Sequence, residues 1–223
     1  MKFLIASDIH GSAHYCQQLL KAYDSEGADR LLLLGDILYH GPRNDLPLDY
    51  NPKTVTALLN RRKADILCVR GNCDAEVDQM VLEFPIMADY CILCAGDRTI
   101  YATHGHSFGE QNPPPLHRGD ILLCGHTHVP GYTEHDGYLY MNPGSVSIPK
   151  ENSPHSYMTF DGNTFLWKDF AGSIFLKYPP EKPEKEEIHH GRYNETAPGG
   201  TDVYGITEKA RRHVQNLKAN ETT

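Results

Sequence analysis

Short apolar segments alternate with helix-forming segments through the first third of the chain. The runs Phe3–Ser7, Leu31–Leu34 and Ile66–Val69 each have the length of one β-strand. Continuous apolar runs of this kind are typical of strands that are buried on both faces. Between them, Ser12 is placed to cap a first helix and Asn51 to cap a second. This order of strands and helices predicts a largely parallel sheet that helices cover.

The pattern changes after about residue 86. Between residues 86 and 168 the strand signals are short, turns separate them and helix signals are weak, so we expect a mixed or antiparallel second sheet packed against the first. The composition changes again near residue 178, where Pro, Glu and Lys residues interleave. We therefore predict one domain over residues 1–177 and a polar tail over residues 178–223 that could form a short C-terminal helix.

Charge and hydrophobicity exclude several classes of protein. The 223 residues carry a net charge of -8, which argues against binding to long nucleic acids because these require a basic surface. The apolar stretch at the N-terminus is too short for the core of a signal peptide. No apolar run approaches the roughly 20 residues that cross a membrane. These observations predict a cytoplasmic protein without membrane association.

The six cysteines of the chain are expected to be reduced in the cytoplasm. Cys91 and Cys94 have the spacing of a redox or zinc-binding pair. They lie in an apolar, strand-like run without a second pair of the same kind, which favours buried thiols.

Five short polar motifs follow directly after apolar segments. They are Asp8-Ile9-His10, Gly35-Asp36, Gly71-Asn72-Cys73-Asp74, His104-Gly105-His106 and Gly125-His126-Thr127-His128. Because ligands of α/β proteins gather at the carboxyl ends of strands, we expect these motifs to converge. Carboxylate, amide and imidazole groups together suit divalent metal ions. Each motif alone is a common turn, helix cap or surface histidine; their occurrence together and in this order favours a metal site.

The series resembles the motifs of the calcineurin-like metallophosphoesterase superfamily. Four segments are most similar to its small bacterial branch, the YfcE-like phosphodiesterases: Ser7–Gly11, Gly35-Asp36 with His40–Asn44, Val69–Asp74 and Asn142–Pro149. The resemblance covers roughly residues 1 to 170. It implies an α/β fold, a four-layer α/β/β/α sandwich of two mixed β-sheets flanked by helices. It also implies a metal-dependent phosphodiesterase whose substrate is a small phosphodiester.

The resemblance further assigns seven residues to two divalent metal ions. One ion would be bound by Asp8, His10 and His128, and the other by Asn72, His104 and His126. Asp36 would bind both ions. The expected metal is Mn²⁺, with Fe, Zn and Mg as alternatives. A hydroxide that bridges the two ions would attack phosphorus, because metal binding lowers the pKa of water.

Four residues near the motifs are further candidates for catalysis or substrate binding. Cys73 stands where most of the superfamily has a histidine that is thought to protonate the leaving group. A thiol is a poorer acid at neutral pH, so the enzyme would cleave esters with good leaving groups or let water or a metal ion assist. Alternatively, Cys73 only fills space beside the site. Asp74 would orient a ligand. His106 could contact substrate or be structural, and Arg43 could bind phosphate or lie on a surface loop.

Two other functions fit parts of the pattern. A nuclease of the same superfamily would need a positive groove, which the negative charge disfavours, although cyclic or short nucleotides stay open. A catalytically weak protein-interaction scaffold of the same fold would have an impaired metal site. Every predicted ligand position holds a competent residue, which disfavours the scaffold. Self-association is frequent in the family, so a homo-oligomer is expected.

Overall fold

The strands and helices of the computed structural model follow the predicted order; the structure describes residues 1–95 and 98–179. The first part of the chain contains β1 (Phe3–Ala6), α1 (Ala13–Glu26), β2 (Arg30–Leu33), α2 (Pro52–Asn60), β3 (Ile66–Cys68) and α3 (Glu76–Gln79). Among the described residues that follow, the elements are all strands, namely β4 (Tyr90–Ala95), β5 (Arg98–Thr103), β6 (Asp120–Leu123), β7 (Gly131–Glu134), β8 (Tyr138–Asn142), β9 (Ser156–Phe160), β10 (Phe165–Asp169) and β11 (Ile174–Tyr178).

Local side-chain hydrogen bonds set the ends of the two longer helices. The Ser12 hydroxyl accepts a hydrogen bond from the backbone N–H of Tyr15, which caps α1 as predicted. At the other end, Gly27 adopts a left-handed conformation with φ of 57°, a common way to end a helix. The Asn51 side chain caps α2 by accepting a hydrogen bond from the N–H of Thr54.

The described strands form two sheets, and both are mixed. The six-stranded sheet has the order β11-β10-β9-β1-β2-β3, in which β1, β2 and β3 are parallel. The five-stranded sheet has the order β4-β5-β6-β8-β7, in which β5, β6 and β8 are parallel. The predicted α/β fold with two mixed sheets is therefore confirmed. The assignment of all strands after residue 86 to the second sheet was wrong, because β9 pairs antiparallel with β1.

Side chains of β1 divide between two hydrophobic cores, since successive residues of a strand point to opposite faces. Leu4 and Ala6 face the core that α1 and α2 form on the six-stranded sheet. Phe3 and Ile5 face the core between the two sheets, which also contains the fully buried Trp167. The first sheet is thus covered on both faces, as its continuous apolar strands predicted.

The outer face of the five-stranded sheet carries a smaller apolar cluster. Leu122, Cys124 and Tyr140 are buried there. Among the described residues a loop covers this face instead of a helix. Leu116 packs on the cluster, and the hydroxyl of Tyr138 donates a hydrogen bond to the backbone oxygen of Glu110 in the same loop.

The prediction that Cys91 and Cys94 are both buried was wrong. Cys91 is half-buried and packs against the core between the sheets, whereas Cys94 is exposed. Both belong to β4, at the edge of its sheet. Residues three apart on a strand face opposite sides, so the two thiols cannot form a local pair either.

Within the described residues, no helix combines the length and apolar character needed to cross a membrane. Strand β11 ends at Tyr178, one residue after the predicted domain boundary. The predicted tail and its short helix lie outside the described residues from residue 180 onward.

Candidate metal centre

The polar motifs lie just beyond the carboxyl ends of strands in both sheets. Asp8 follows β1, Asp36 follows β2 and Asn72 follows β3. In the other sheet, His104 follows β5 and His126 follows β6. Because these strands are parallel within each sheet, the motifs share one edge of the molecule. The structure brings their side chains together.

Several of the predicted ligand residues have an unusual backbone conformation. Positive φ angles of 60°, 48°, 56°, 67° and 62° occur at Asp8, His10, Asp36, His126 and His128. Such angles are uncommon outside glycine and cost roughly 1–3 kcal/mol each, so they persist where the surrounding structure enforces them, often at functional sites. Here the chain turns sharply after each strand. The sequence gives no direct signal of this strain.

Asp8, His10 and His128 form the first group of converging side chains. The Nε2 atoms of the two histidines lie 3.3 Å apart. Oδ1 of Asp8 lies 3.5 Å from Nε2 of His10 and 3.2 Å from Nε2 of His128. Despite these distances, Oδ1 is buried without a well-formed hydrogen bond. A buried carboxylate oxygen that lacks such a bond is costly, and a cation between these three atoms would satisfy it.

Backbone carbonyl groups orient three of the four predicted histidine ligands. Nδ1 of His10, His104 and His128 is 2.7, 2.6 and 2.6 Å from the carbonyl oxygens of Tyr39, Leu34 and Ile148. If Nδ1 donates to the carbonyl, the lone pair of Nε2 is free and faces the site. Metal-binding histidines are commonly held in this tautomer and orientation by such contacts.

The second group surrounds His104. Its Nε2 atom lies 3.0 Å from Oδ1 of Asn72, 3.2 Å from Nδ1 of His126 and 3.4 Å from Oδ2 of Asp36. The same Asp36 oxygen is 3.7 Å from Nε2 of His10, in the first group. Asp36 therefore stands between the two groups, as a bridging ligand would.

The charges of the buried groups also suit a cation. Burial alone would raise the pKa of Asp8, but His10 and His128 outweigh it and hold that pKa well below its ordinary value. Burial lowers the pKa of His104, yet Asp36 and Asp8 outweigh this and raise it to about 9. The carboxylates thus stay ionised and require positive charge beside them, from a proton on imidazole or from a metal ion. Metal binding would displace that proton.

Asp74 holds two of the motif loops together. Its carboxylate is buried and accepts hydrogen bonds from the N–H groups of Asp36, Ile37 and Gly71, at 2.8, 2.8 and 2.7 Å. Burial raises the pKa of Asp74, although these bonds oppose the shift. Asp74 therefore fixes the backbone of Asp36. Its role in orienting a metal ligand stays a prediction.

The segment Asn142–Pro149 holds the backbone of Asp8 in place through hydrogen bonds. The hydroxyl groups of Ser145 and Ser147 both donate to the backbone oxygen of Asp8, at 3.0 Å. Nδ2 of Asn142 donates to the backbone oxygen of Gly125 at 2.7 Å, beside His126. This segment thus ties the loop after β1 to the loop after β6.

Cys73 and His106 lie at different distances from the predicted ligands. The Sγ atom of Cys73 belongs to a group with donor atoms of His10 and Asp36 that all lie within 4.8 Å of one another. Burial, reinforced by the negative charge of Asp36, raises the pKa of Cys73 to about 12. His106 is exposed, with its ring centre 5.4 Å from that of His104. Partial desolvation by its neighbours and the positive charge of His104 lower the pKa of His106.

Several of the predicted site residues line a cavity of about 380 Å³. Its walls include the predicted ligands His10, Asp36, Asn72, His126 and His128. Arg43 and Cys73 also line it, as does Lys150, which the sequence reasoning missed. Lys150 belongs to no recognisable motif, so only the fold shows that it lies at this cavity.

The fold is of the α/β class, and the donor set has the chemistry of a site for divalent metal ions. The family model of the calcineurin-like phosphoesterase superfamily domain matches residues 1–164. The chain belongs to this superfamily. Its membership and its classification as a hydrolase of phosphate esters, both predicted from the motifs, are confirmed. The family implies divalent metal ions, and the residues described above have the chemistry to hold them.

Individual relatives are consistent with this membership. The chain is 45% identical to phosphodiesterase YfcE of Escherichia coli K12 over 163 residues, which are 73% of this chain and 89% of the relative. The solved structure of the E. coli phosphoesterase Yfce matches with a TM-score of 0.77 and 43% identity, covering 79% of this chain and 98% of that chain. Vacuolar protein sorting 29 from Cryptosporidium parvum, at 17% identity and a TM-score of 0.51, covers 79% of this chain and 97% of that chain. That last likeness concerns the fold alone.

Proposed function

We propose that this protein is a phosphodiesterase that works with two divalent metal ions, preferably Mn²⁺. The first ion would be held by Asp8, His10 and His128, the second by Asn72, His104 and His126, and both by Asp36. The observation that carries the proposal is the convergence of imidazole and carboxylate atoms around the buried Asp8 oxygen without a well-formed hydrogen bond. The name of the E. coli relative, a phosphodiesterase, supports the substrate class.

When bound, the two ions would generate a bridging hydroxide near neutral pH and neutralise charge on the phosphoryl oxygens. The protein's own part is to hold the donor atoms in place. The carbonyl contacts of His10, His104 and His128 fix their tautomers, and Asp74 fixes the backbone of Asp36. Because the donor atoms are already in place, the site does not have to reorganise during the reaction. Such preorganisation is a large source of rate acceleration in enzymes.

The charge of the site favours a diester over a monoester. Two divalent ions, two carboxylates and one hydroxide leave about one positive charge, which matches the single negative charge of a phosphodiester. The thiol of Cys73 has a pKa of about 12 and is a poor proton donor. The substrate would therefore be an ester whose leaving group needs little protonation.

The decisive experiment is Mn²⁺-dependent hydrolysis of bis(p-nitrophenyl) phosphate by the full chain. Asp36→Asn is the test variant, because it keeps the size of the side chain and removes the charge that both ions would share. Asp136→Asn is the matched control, since Asp136 is an exposed partner of Arg118. We expect the Asp36 variant to lose at least about a hundredfold in kcat/KM, or roughly 2.7 kcal/mol, and to lose bound Mn²⁺ in elemental analysis.

The alternative is the catalytically weak protein-interaction scaffold. If the folded protein binds metal and hydrolyses no ester with Mn²⁺, Fe²⁺, Zn²⁺ or Mg²⁺, the scaffold becomes the better proposal. If Asp36→Asn retains full activity, the assignment of Asp36 as a shared ligand fails, whatever the substrate.

The oligomeric state, the cellular location and the preference for a small substrate stay predictions. A homo-oligomer would appear as a multiple of the 25.1 kDa chain mass in light scattering. The cytoplasmic location is testable by cell fractionation. The preference for a small diester over long nucleic acid is testable by comparing bis(p-nitrophenyl) phosphate with single-stranded DNA as substrates.

A further inference from the structure

Two basic residues line the cavity that contains the predicted metal ligands. Arg43 belongs to the loop between β2 and α2, and Lys150 belongs to the loop between β8 and β9. Both side chains are exposed, whereas Asp8 and His10 are fully buried. The fold thus brings two cations from distant parts of the chain to the outer part of one cavity.

Neither cation has an acidic partner among the described residues. Other basic side chains do form ion pairs with carboxylates, namely those of Lys2, Arg62, Lys63, Arg70, Arg118 and Lys168. Two cations without a carboxylate partner that line one cavity create a positive potential there. In a protein with a net charge of -8, this local excess of positive charge marks a place for an anion.

The backbone of Lys150 is held firmly in place. Its N–H donates to the backbone oxygen of the predicted ligand His128 at 3.2 Å. Its carbonyl oxygen accepts bonds from the N–H and the hydroxyl of Ser153, at 3.0 and 2.6 Å. Between them, Glu151 and Asn152 have φ angles of 54° and 57°, the left-handed pair of a tight turn. The backbone of Lys150, and so the point from which its side chain extends, is therefore fixed relative to the predicted ligand His128.

The scissile phosphodiester does not need these two additional charges. Under the charge count of the proposed function, the metal centre already matches its single negative charge. The cavity of about 380 Å³ falls in the range of roughly 300–1,000 Å³ that holds a whole small molecule. The cavity therefore has both the room and the charge for a second anionic group.

We propose that Arg43 and Lys150 bind a second anionic group of the substrate, a carboxylate or a phosphate, located outward from the scissile phosphodiester. This inference rests on the proposed function, because it places the scissile group at the metal centre. It narrows the substrate class to small phosphodiesters that carry at least two negative charges. Arg43 and Lys150 are in this view specificity-determining residues.

The test is equilibrium binding of three phosphonates to the Mn²⁺-loaded full chain, measured by isothermal titration calorimetry. Propylphosphonate carries one anionic group, 2-carboxyethylphosphonate adds a carboxylate, and ethylenediphosphonate adds a second phosphonate. Their carbon–phosphorus bonds resist hydrolysis, so the measurement does not depend on turnover. The last two probes distinguish a carboxylate from a phosphate as the natural second group.

We expect at least one of the two-anion probes to bind about tenfold more tightly than propylphosphonate, as two exposed ion pairs allow. In Arg43→Gln/Lys150→Gln this ratio should fall to about one. The control Lys21→Gln/Arg61→Gln removes the same charge from exposed positions on or at the ends of helices and should keep the ratio. Circular dichroism verifies that all variants are folded.

Equal affinity for the three probes would overturn the inference. So would a preference that survives in Arg43→Gln/Lys150→Gln, because the metal ions would then account for it. The proposed function fails separately, through absence of Mn²⁺-dependent hydrolysis of bis(p-nitrophenyl) phosphate. A protein without that activity that still shows the Arg43- and Lys150-dependent preference would retain the anion site.

Discussion

The Nε2 atoms of His10 and His128 lie 3.3 Å apart, although 118 residues separate the two histidines in the chain. Oδ1 of Asp8 faces both and is buried without a well-formed hydrogen bond. Polar atoms buried in this way destabilise a protein unless something satisfies them. The arrangement therefore links the proposed metal site to the stability of the fold.

Removal of metal should lower the thermal stability of the protein. A ligand that binds only the folded state at a hundredfold excess over its Kd stabilises it by about 2.7 kcal/mol. We expect the Tm to fall by several degrees on treatment with EDTA and to recover with Mn²⁺, in calorimetry. Asp8→Asn should show a much smaller response, because it weakens metal binding and removes the buried charge. A Tm that is indifferent to Mn²⁺ in the wild type would contradict this prediction.

Close packing of two loops should make Gly71 intolerant of any side chain. A Cβ atom at Gly71 would overlap Oδ1 and the backbone nitrogen of Asp36. We expect Gly71→Ala to lower Mn²⁺ affinity at least tenfold and to cost about 1–3 kcal/mol of stability, as overpacked sites do. Titration with Mn²⁺ and urea unfolding measure the two effects.

Gly131→Ala is the matched control, since nothing lies within 4 Å of a Cβ built there. It should leave both Mn²⁺ affinity and stability close to those of the wild type. Unchanged Mn²⁺ affinity in Gly71→Ala would mean that the position of Asp36 matters little for metal binding.

The sequence predicted that the five motifs converge because each follows an apolar strand, and strand ends meet at one edge of a sheet. It could not reveal the left-handed backbone of Asp8 or the three hydrogen bonds of Asp74, since both depend on loops that meet only in the fold. The pairing of strands also depends on tertiary structure. The sequences of β9 and β10 are strand-like, yet nothing in them specifies that β9 pairs with β1 and β10 with β9. Lys150 was missed for the same reason.

Cys73 offers a direct test of leaving-group chemistry. Its thiol, with a pKa of about 12, keeps its proton at neutral pH, whereas an imidazole near neutral pKa can transfer one. We expect Cys73→His to raise activity toward esters with poor leaving groups and so to change the ratio of diester to monoester hydrolysis. Cys73→Ser is the control for size and polarity. An unchanged ratio in Cys73→His would assign Cys73 a space-filling role.

Glu26 should contribute stability that depends on pH. Its carboxylate is only 12% exposed and accepts hydrogen bonds from Lys168 at 2.7 Å, Lys2 at 2.9 Å and the Tyr157 hydroxyl at 3.1 Å. Burial would raise the pKa of Glu26, but Lys168 and Lys2 outweigh it and lower that pKa below its ordinary value of 4.5. The ionised form is thus favoured in the folded state, and its stabilisation is present above pH 4.5.

Glu26→Gln should therefore cost about 1–3 kcal/mol of unfolding free energy at pH 7. As the pH falls below 4.5 and through the lowered pKa of the folded state, the wild type protonates Glu26 and loses this advantage, so the two proteins should converge. Urea unfolding from pH 7 to pH 3 measures the difference. Glu83→Gln, which removes an exposed partner of Lys63, should change stability by less than about 1 kcal/mol. A Glu26→Gln deficit that stays constant with pH would show that packing, and not charge, gives Glu26 its role.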